Sequence, residues 1–451
     1  MTSLLLSVKN TIITLVQCVL MISFFSGCQS SSRQEHVSAD TVVTIEKAYK
    51  DSVVLPDPYA TKSVTNFSKV VGWPETKTPI APPGFKVTKY ADGLKHPRWI
   101  YVVPNGDILV AEANTKLKGV KKIASEFSGK IKSQGLDEDA NRITILRDKD
   151  NDGIPEQKQV LLEGLNQPFG MLVIGNILYV ANTDGLLQFP YSPGQTEIRS
   201  EGKKIVELPA GDKNRHWTRN IIANSDNSKI YIAVGSGTDH AEEGINNEIR
   251  RACILEVNPD GSGEKIYASG LRNPVGMAWA PGTKNLVTVV NERDELGDDL
   301  VPDYLTVVKE GAFYGWPYSY YGSHEDPRLK GQEPALVKNA VVPDIALGPH
   351  TASLGLAFYD KQTFPQKYRG GAFIGQHGSW NRSQLSGYKV VFVPFKNGKP
   401  SGPPEDFLTG FVADLEKNEV HGRPVGIAVL PDGSILVADD SSNTIWRIAH
   451  Q

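Results

Sequence analysis

The chain has 451 residues, 22% charged and 40% hydrophobic, proportions of a folded protein that exclude wholesale disorder, collagen and coiled coil. Its length allows about three domains or one large all-β domain. A formal charge of -3 offers no basic field, so no nucleic acid partner is expected, while 42 glycines and 29 prolines favour short strands joined by turns.

Residues 1–27 carry one charged side chain, Lys9, then an apolar run over 11–25, then Ser26 and Gly27 before Cys28. This is the pattern of a signal peptide, the alternative being an uncleaved anchor, for which the run is short. Small residues directly before a cysteine resemble the lipobox of bacterial lipoproteins, with Phe25 where leucine is usual. Cys28 is therefore the expected lipidation site and new N-terminus. Gln29 rather than aspartate follows it, which points to the outer membrane and a lipid-anchored protein of the bacterial cell envelope facing the periplasm. Cys18 leaves with the signal, so Cys253 stands alone and no intramolecular disulfide is expected. Residues 28–77 are polar, Ser/Thr-rich and aperiodic, and read as a flexible tether.

From residue 78 to 451 six segments share one grammar: a polar or glycine entry, a short apolar strand, a turn, and a second apolar strand. They begin at Gly93, Gly164, His216, Gly270, Thr351 and Gly422. Turns such as Pro104-Asn105-Gly106 and Pro431-Asp432-Gly433 join the paired strands. Six such units predict an all-β chain folded as a six-bladed β-propeller, with uneven spacings that mark capping loop insertions. A β-sandwich array is the alternative. Residues 85–90 are expected to lend an outer strand to the last blade and close the ring.

Between the first two units, Asp148, Asp150, Asp152 and Gly153 match the first half of an EF-hand-like calcium loop, but position twelve is Gln159 where a bidentate glutamate belongs. An isolated calcium-stabilised hairpin is expected there, with a plain Asp-rich turn as the alternative.

In a propeller the loops entering the inner strands converge on the central axis, so chemistry is sought at the repeat entries. These hold Asn166 and Gln167, 215–219 with Arg215, His216 and Arg219, then Arg272 and Asn273, His350, Asn381 and Arg382, and His421 and Arg423. Guanidiniums, amides and an imidazole together suit a polyanionic small molecule beside a proton acceptor.

At these residues the sequence resembles the soluble quinoprotein sugar dehydrogenases, especially the L-sorbosone dehydrogenase branch. The resemblance runs from about Pro83 to Gln451 and is most specific at Leu271-Arg-Asn-Pro-Val-Gly-Met-Ala278, Val290-Asn-Glu-Arg-Asp-Glu-Leu-Gly-Asp-Asp299, Pro302-Asp-Tyr-Leu-Thr306 and Gly311-Ala-Phe-Tyr-Gly-Trp-Pro317. It implies pyrroloquinoline quinone (PQQ) with calcium on a six-bladed propeller. His216 then matches the catalytic base, Asn273 a cofactor-contacting asparagine, and Arg423 the arginine that pairs with a cofactor carboxylate. Gln167, Arg219 and Arg382 complete the expected cofactor contacts. Val425 stands where sugar-oxidising relatives carry a second arginine, and Asn381 or Arg382 occupies the region of a family lysine. Calcium is expected on the backbone carbonyls of Glu292 and Arg293, with Asp294 beside them.

The expected function is oxidation of a sugar or related alcohol or aldehyde, of sorbosone or aldose type, by hydride transfer to the quinone. Electrons would pass to a membrane or periplasmic acceptor, a quinone or cytochrome. Two rivals are a calcium-dependent lactonase-type hydrolase, which needs Asp, Glu or Asn side chains on the inner strands, and a non-catalytic propeller that binds glycans or protein.

Overall fold

A computed structural model describes residues 53–115, 140–150 and 152–451. The predicted signal peptide, Cys28 and the first part of the predicted tether lie outside the described residues.

Six four-stranded antiparallel sheets are present among the described residues. The first holds Pro97–Val102, Ile108–Glu112, Arg142–Arg147 and Gln157–Leu162, and the second Met171–Ile174, Ile177–Asn182, Gly185–Pro190 and Lys203–Glu207. The third runs Ile221–Ala223, Ile230–Val234, Cys253–Val257 and Lys265–Ser269. The fourth is Pro274–Trp279, Leu286–Val290, Pro302–Val307 and Ile345–Pro349, and the fifth Ser353–Phe358, Ala372–Gln376, Lys389–Val393 and Glu405–Leu408. The sixth joins Pro424–Val429, Ile435–Asp439 and Thr444–His450 to Phe85–Ala91, so the two ends of the repeat region share one sheet.

The second strands, such as Ile230–Val234, Leu286–Val290 and Ile435–Asp439, are buried along their whole length. That is why they read as unbroken apolar runs rather than alternating ones: neighbouring sheets cover both faces. Each Val, Leu or Ile so buried contributes about 1.5–3 kcal/mol.

The first strands touch in cyclic order. Pro274–Trp279 packs on Ser353–Phe358, that strand on Pro424–Val429, and that one on Pro97–Val102. The Trp99 and Phe169 rings, 4.8 Å apart, join the first sheet to the second. Gly170 N–H donates to Arg219 O at 2.9 Å, and Asn220 Nδ2 donates to Val275 O at 2.9 Å, which carries the ring through the third sheet to the fourth. Small residues are required here: a Cβ on Gly355 would lie 2.0 Å from Val425 O, and one on Gly426 2.8 Å from Arg98 O.

Four first strands carry an extra residue just after their entry, between Pro97 and Trp99, Pro274 and Met277, Ser353 and Gly355, and Pro424 and Ile427. A bulge turns the adjoining side chain out of the pleat. In the first sheet that residue is Arg98.

Residues 53–77, assigned to the tether by composition, are a bound strap. Lys69–Val70 pairs in parallel with Glu419–Val420, Trp73 Nε1 donates to Asp439 at 2.8 Å, and the Trp73 ring packs against Phe411, His421 and Trp446. Composition missed this because a strap holds through backbone groups and single aromatic anchors, not a periodic apolar face.

Candidate active site

His216 lies in the loop entering the third sheet. Its Nδ1 is 2.9 Å from both Ser236 O and Ser236 Oγ, and Ser236 Oγ donates onward to Thr238 O at 2.5 Å. With that hydroxyl proton committed, Nδ1 is the protonated nitrogen and Nε2 keeps its lone pair. Burial, then the charges of Arg272 and Arg215, hold the imidazole well below the ordinary histidine range against the opposing pull of Asp239. Asn273 meets it across Gly235, where an added Cβ would lie 2.4 Å from Asn273 Oδ1 and 2.6 Å from His216 Cβ.

Behind them Arg272, 1% exposed, is held on every side. It donates to Asn291 Oδ1 and Glu292 O, both at 2.7 Å, and pairs with Asp239. Burial pushes Asp239 up, but Arg272, Arg215 and Arg293 outweigh it and bring the carboxyl down to about 2.

Toward the first and last sheets, the Arg98 guanidinium lies 5.4 Å over the Trp217 ring and pairs with Asp440. His377 Nε2 is 2.9 Å from both Asp440 carboxylate oxygens. Burial and Arg423 push His377 down to about 3 despite Asp440, so a neutral ring donates Nε2–H. A continuous set of contacts thus runs from Asn273 through His216, Trp217 and Arg98 to His377 and Arg423. Among these residues and those around Arg272, three buried atoms have no hydrogen-bond partner: Arg98 Nε, Asn273 Oδ1 and Asp239 Oδ2. Unsatisfied buried polar atoms of both signs fit a polar ligand that both donates and accepts.

Several residues expected to bind cofactor are committed elsewhere. Arg219 donates through Nη1 to His216 O and Thr218 O and through Nη2 to Pro209 O and Asn214 Oδ1, so it shapes the His216 loop from beneath. Arg423 donates to His377 O at 2.9 Å and Gly378 O at 2.8 Å and so fixes the His377 loop. Arg382 points to the strap side, on Asp298 O and the Asp299 carboxylate. Gln167 donates its amide to Asn114 O at 2.7 Å. A guanidinium buried beside a loop is captured by the nearest backbone carbonyls, and sequence spacing does not reveal which ones these are.

The expected calcium loop is likewise altered. Glu292 O accepts from Arg272, Asp294 O accepts from the Arg293 guanidinium at 2.9 and 2.7 Å, and the Asp294 carboxylate faces His350 Nδ1 at 3.0 Å and Arg272 at 3.5 Å. Burial lowers His350, but Asp294 and Gly297 O together raise it above its ordinary value, which suits a charged ring donating from both nitrogens. Cationic donors on Glu292 O and on Asp294 make these atoms poor calcium ligands. The carboxylate and imidazole atoms that do converge, within 4.8 Å, belong to Asp239, His240 and Glu295. In the loop between Arg142–Arg147 and Gln157–Leu162, Asp148, Asp150 and Asp152 converge as expected, with Glu156 as a fourth carboxylate that the loop pattern did not single out.

The sequence reading passed over Arg98, His377, Asp440 and Asp239. A signal for Arg98 existed: the position after the entry proline is Phe169, Val275 and Val425 in other repeats, and arginine only in the first. Arg98 also supplies, from the adjoining sheet, a guanidinium near the end where Val425 lacks one.

A family model described as TrAA12-like matches residues 79–302 and 327–451. The chain is 30% identical over 179 residues to the aldose sugar dehydrogenase YliI of Escherichia coli (strain K12), a match spanning 39% of this chain and 42% of that one. Among solved structures, the calcium structure of the Trichoderma reesei family AA12 enzyme superposes with a TM-score of 0.68 at 19% identity, covering 86% of this chain and 100% of that one. The holo form of the pyranose dehydrogenase PQQ domain from Coprinopsis cinerea gives 0.65 at 20% identity, covering 85% and 100%. At such identities the structural likeness is one of fold.

Proposed function

The chain belongs to the TrAA12-like family, and on that premise we propose that it is a PQQ- and calcium-dependent dehydrogenase of a sugar or related alcohol or aldehyde. The observation that carries this reading is a buried, neutral His216 that meets Asn273 across Gly235, with Asn273 Oδ1, Arg98 Nε and Asp239 Oδ2 each buried without a hydrogen-bond partner. The six sheets are read as the six blades of a propeller whose axial mouth this is.

PQQ, when bound, supplies a quinone carbonyl that takes hydride, and calcium polarises that carbonyl. Arg98 and Arg215, whose side chain is 48% exposed, would hold the cofactor carboxylates. The cation would take carboxylate oxygens of Glu295 and of Asp239, whose Oδ2 has no hydrogen-bond partner while Oδ1 serves Arg272, with His240 beside them. His216 accepts the substrate hydroxyl proton at Nε2, while Ser236 fixes its tautomer and Trp217 and Asn273 its position. A lactonase-type site finds little support, since none of the six first strands carries Asp or Glu.

Sorbosone and aldoses are the first substrates to try. The anchor at Cys28, the periplasmic setting and a membrane quinone or cytochrome as electron acceptor belong to the same reading. Purified protein given PQQ and Ca²⁺ is expected to reduce an artificial dye with an aldose or aldosone. Full PQQ binding without turnover on a broad sugar and alcohol panel would sink the dehydrogenase reading and leave a binding propeller.

A further inference from the structure

The strap over residues 57–65 does more than tie down the N-terminal side. Tyr59 N–H donates to Leu296 O at 2.8 Å, Thr61 Oγ1 accepts from Asp298 N–H at 2.7 Å, and Ser63 Oγ accepts from Gly297 N–H at 3.1 Å. Asn381 bridges the two walls, accepting from Glu295 N–H at 2.9 Å and donating to Val64 O at 3.1 Å. Between strap and loop lies a cleft of about 590 Å³ lined by Tyr59, Lys62, Ser63, Thr65, Glu295 and Asn381. Tyr59 is 55% exposed and holds a left-handed backbone (φ 63°), which a bulky residue adopts only under constraint.

The cleft adjoins the active site through Glu295, whose Oε2 is 3.4 Å from His240 Nε2, beside Asp239. Its lining suits a carbohydrate ring: an exposed aromatic face for the apolar C–H side, hydroxyls and an amide for sugar hydroxyls, and one carboxylate acceptor. Its volume lies within the usual range for small-molecule sites. The reacting ring must lie against His216 Nε2, and His216 is not among the lining residues.

We infer that this cleft is a second saccharide subsite, which holds the ring glycosidically linked to the one being oxidised, so that the preferred substrate is an oligosaccharide. The inference rests on the sugar-oxidising reading above and adds the strap as its specificity element. Preorganisation by the strap's hydrogen bonds lowers the ordering cost of binding such a ligand.

The test compares wild type with Tyr59→Ala and Tyr59→Phe on glucose, maltose and cellobiose, with PQQ and Ca²⁺ supplied. It adds calorimetric titration of the same sugars into protein without PQQ. Tyr59→Ala is expected to lower the disaccharide-to-glucose ratio of kcat/KM about tenfold, mainly through KM, and to weaken disaccharide binding to the cofactor-free protein equally. Tyr59→Phe should retain both. If Tyr59→Ala does not fold, Thr65→Ala and Lys62→Ala carry the same comparison. Unchanged ratios and unchanged binding overturn the subsite and leave sugar oxidation standing. Disaccharide binding that Tyr59→Ala weakens, without turnover of any of the three sugars, supports the subsite and overturns the dehydrogenase reading.

Discussion

Arg98 and Asp440 pair across the seam where the last sheet meets the first, with side chains 12% and 5% exposed. Asp440 also accepts from His377, so one carboxylate ties the bulged entry of the first sheet to the loop after Ala372–Gln376. Burial opposes its ionisation, yet His377 and Arg98 hold it well below the usual carboxylate range. A carboxylate kept charged in a buried place depends on its cation.

Arg98→Ala should therefore cost about 3 kcal/mol of stability, the low end for breaking a buried pair. It should also weaken PQQ binding at least about tenfold, because the open Nε goes with it. Denaturant unfolding and titration of the apoprotein with PQQ check the two effects separately.

His216→Ala should lower kcat by about 10²–10⁴ while PQQ still binds, the span expected for a general base. Because the folded imidazole titrates well below the ordinary histidine range, it stays deprotonated on acidification through that range. The acid limb of kcat/KM is thus expected well below pH 6.5. Arg215→Gln removes one depressing charge and should move the limb toward higher pH. A limb at the ordinary histidine value in wild type would contradict the assignment.

Gly235→Ala should be disproportionately harmful for one methyl group. The new Cβ would meet Asn273 Oδ1 at 2.4 Å and His216 Cβ at 2.6 Å, so one of them must move. Overpacking costs about 1–3 kcal/mol, and a displaced base lowers kcat about 10²-fold. Steady-state kinetics beside a thermal melt would show activity falling further than stability.

Calcium should raise the melting temperature through the loop of Asp148, Asp150, Asp152 and Glu156. Asp150→Asn and Glu156→Gln are expected to reduce that rise while leaving kcat unchanged, since this loop joins the two outer strands of the first sheet and His216 lies at the entry of the third. Differential scanning calorimetry with and without Ca²⁺ reads the effect.

The chemistry legible in the sequence is what local pattern encodes. Buried second strands show as apolar runs, the turns show as proline and glycine, and the entry polar residues His216 and Asn273 show by their repeat position. The outer strand at Phe85–Ala91 was also readable, because its alternation lies outside the six units.

What only the tertiary structure decided is which partners each charged group takes. Arg219, Arg423 and Arg382 look alike in the sequence to Arg98 and Arg215, yet the first three are captured by nearby carbonyls or a surface carboxylate, while Arg98 pairs with Asp440 and keeps Nε without a hydrogen-bond partner and the half-exposed Arg215 lies 3.8 Å from Asp239. The strap's attachment and the pairing of Asp294 with His350 are of the same kind. Periodicity is a property of neighbours along the chain, so the sequence by itself determines strands, turns and their repeat. A guanidinium's partners are set by groups that often stand tens or hundreds of residues away, brought within 3 Å only by the closing of the ring of sheets.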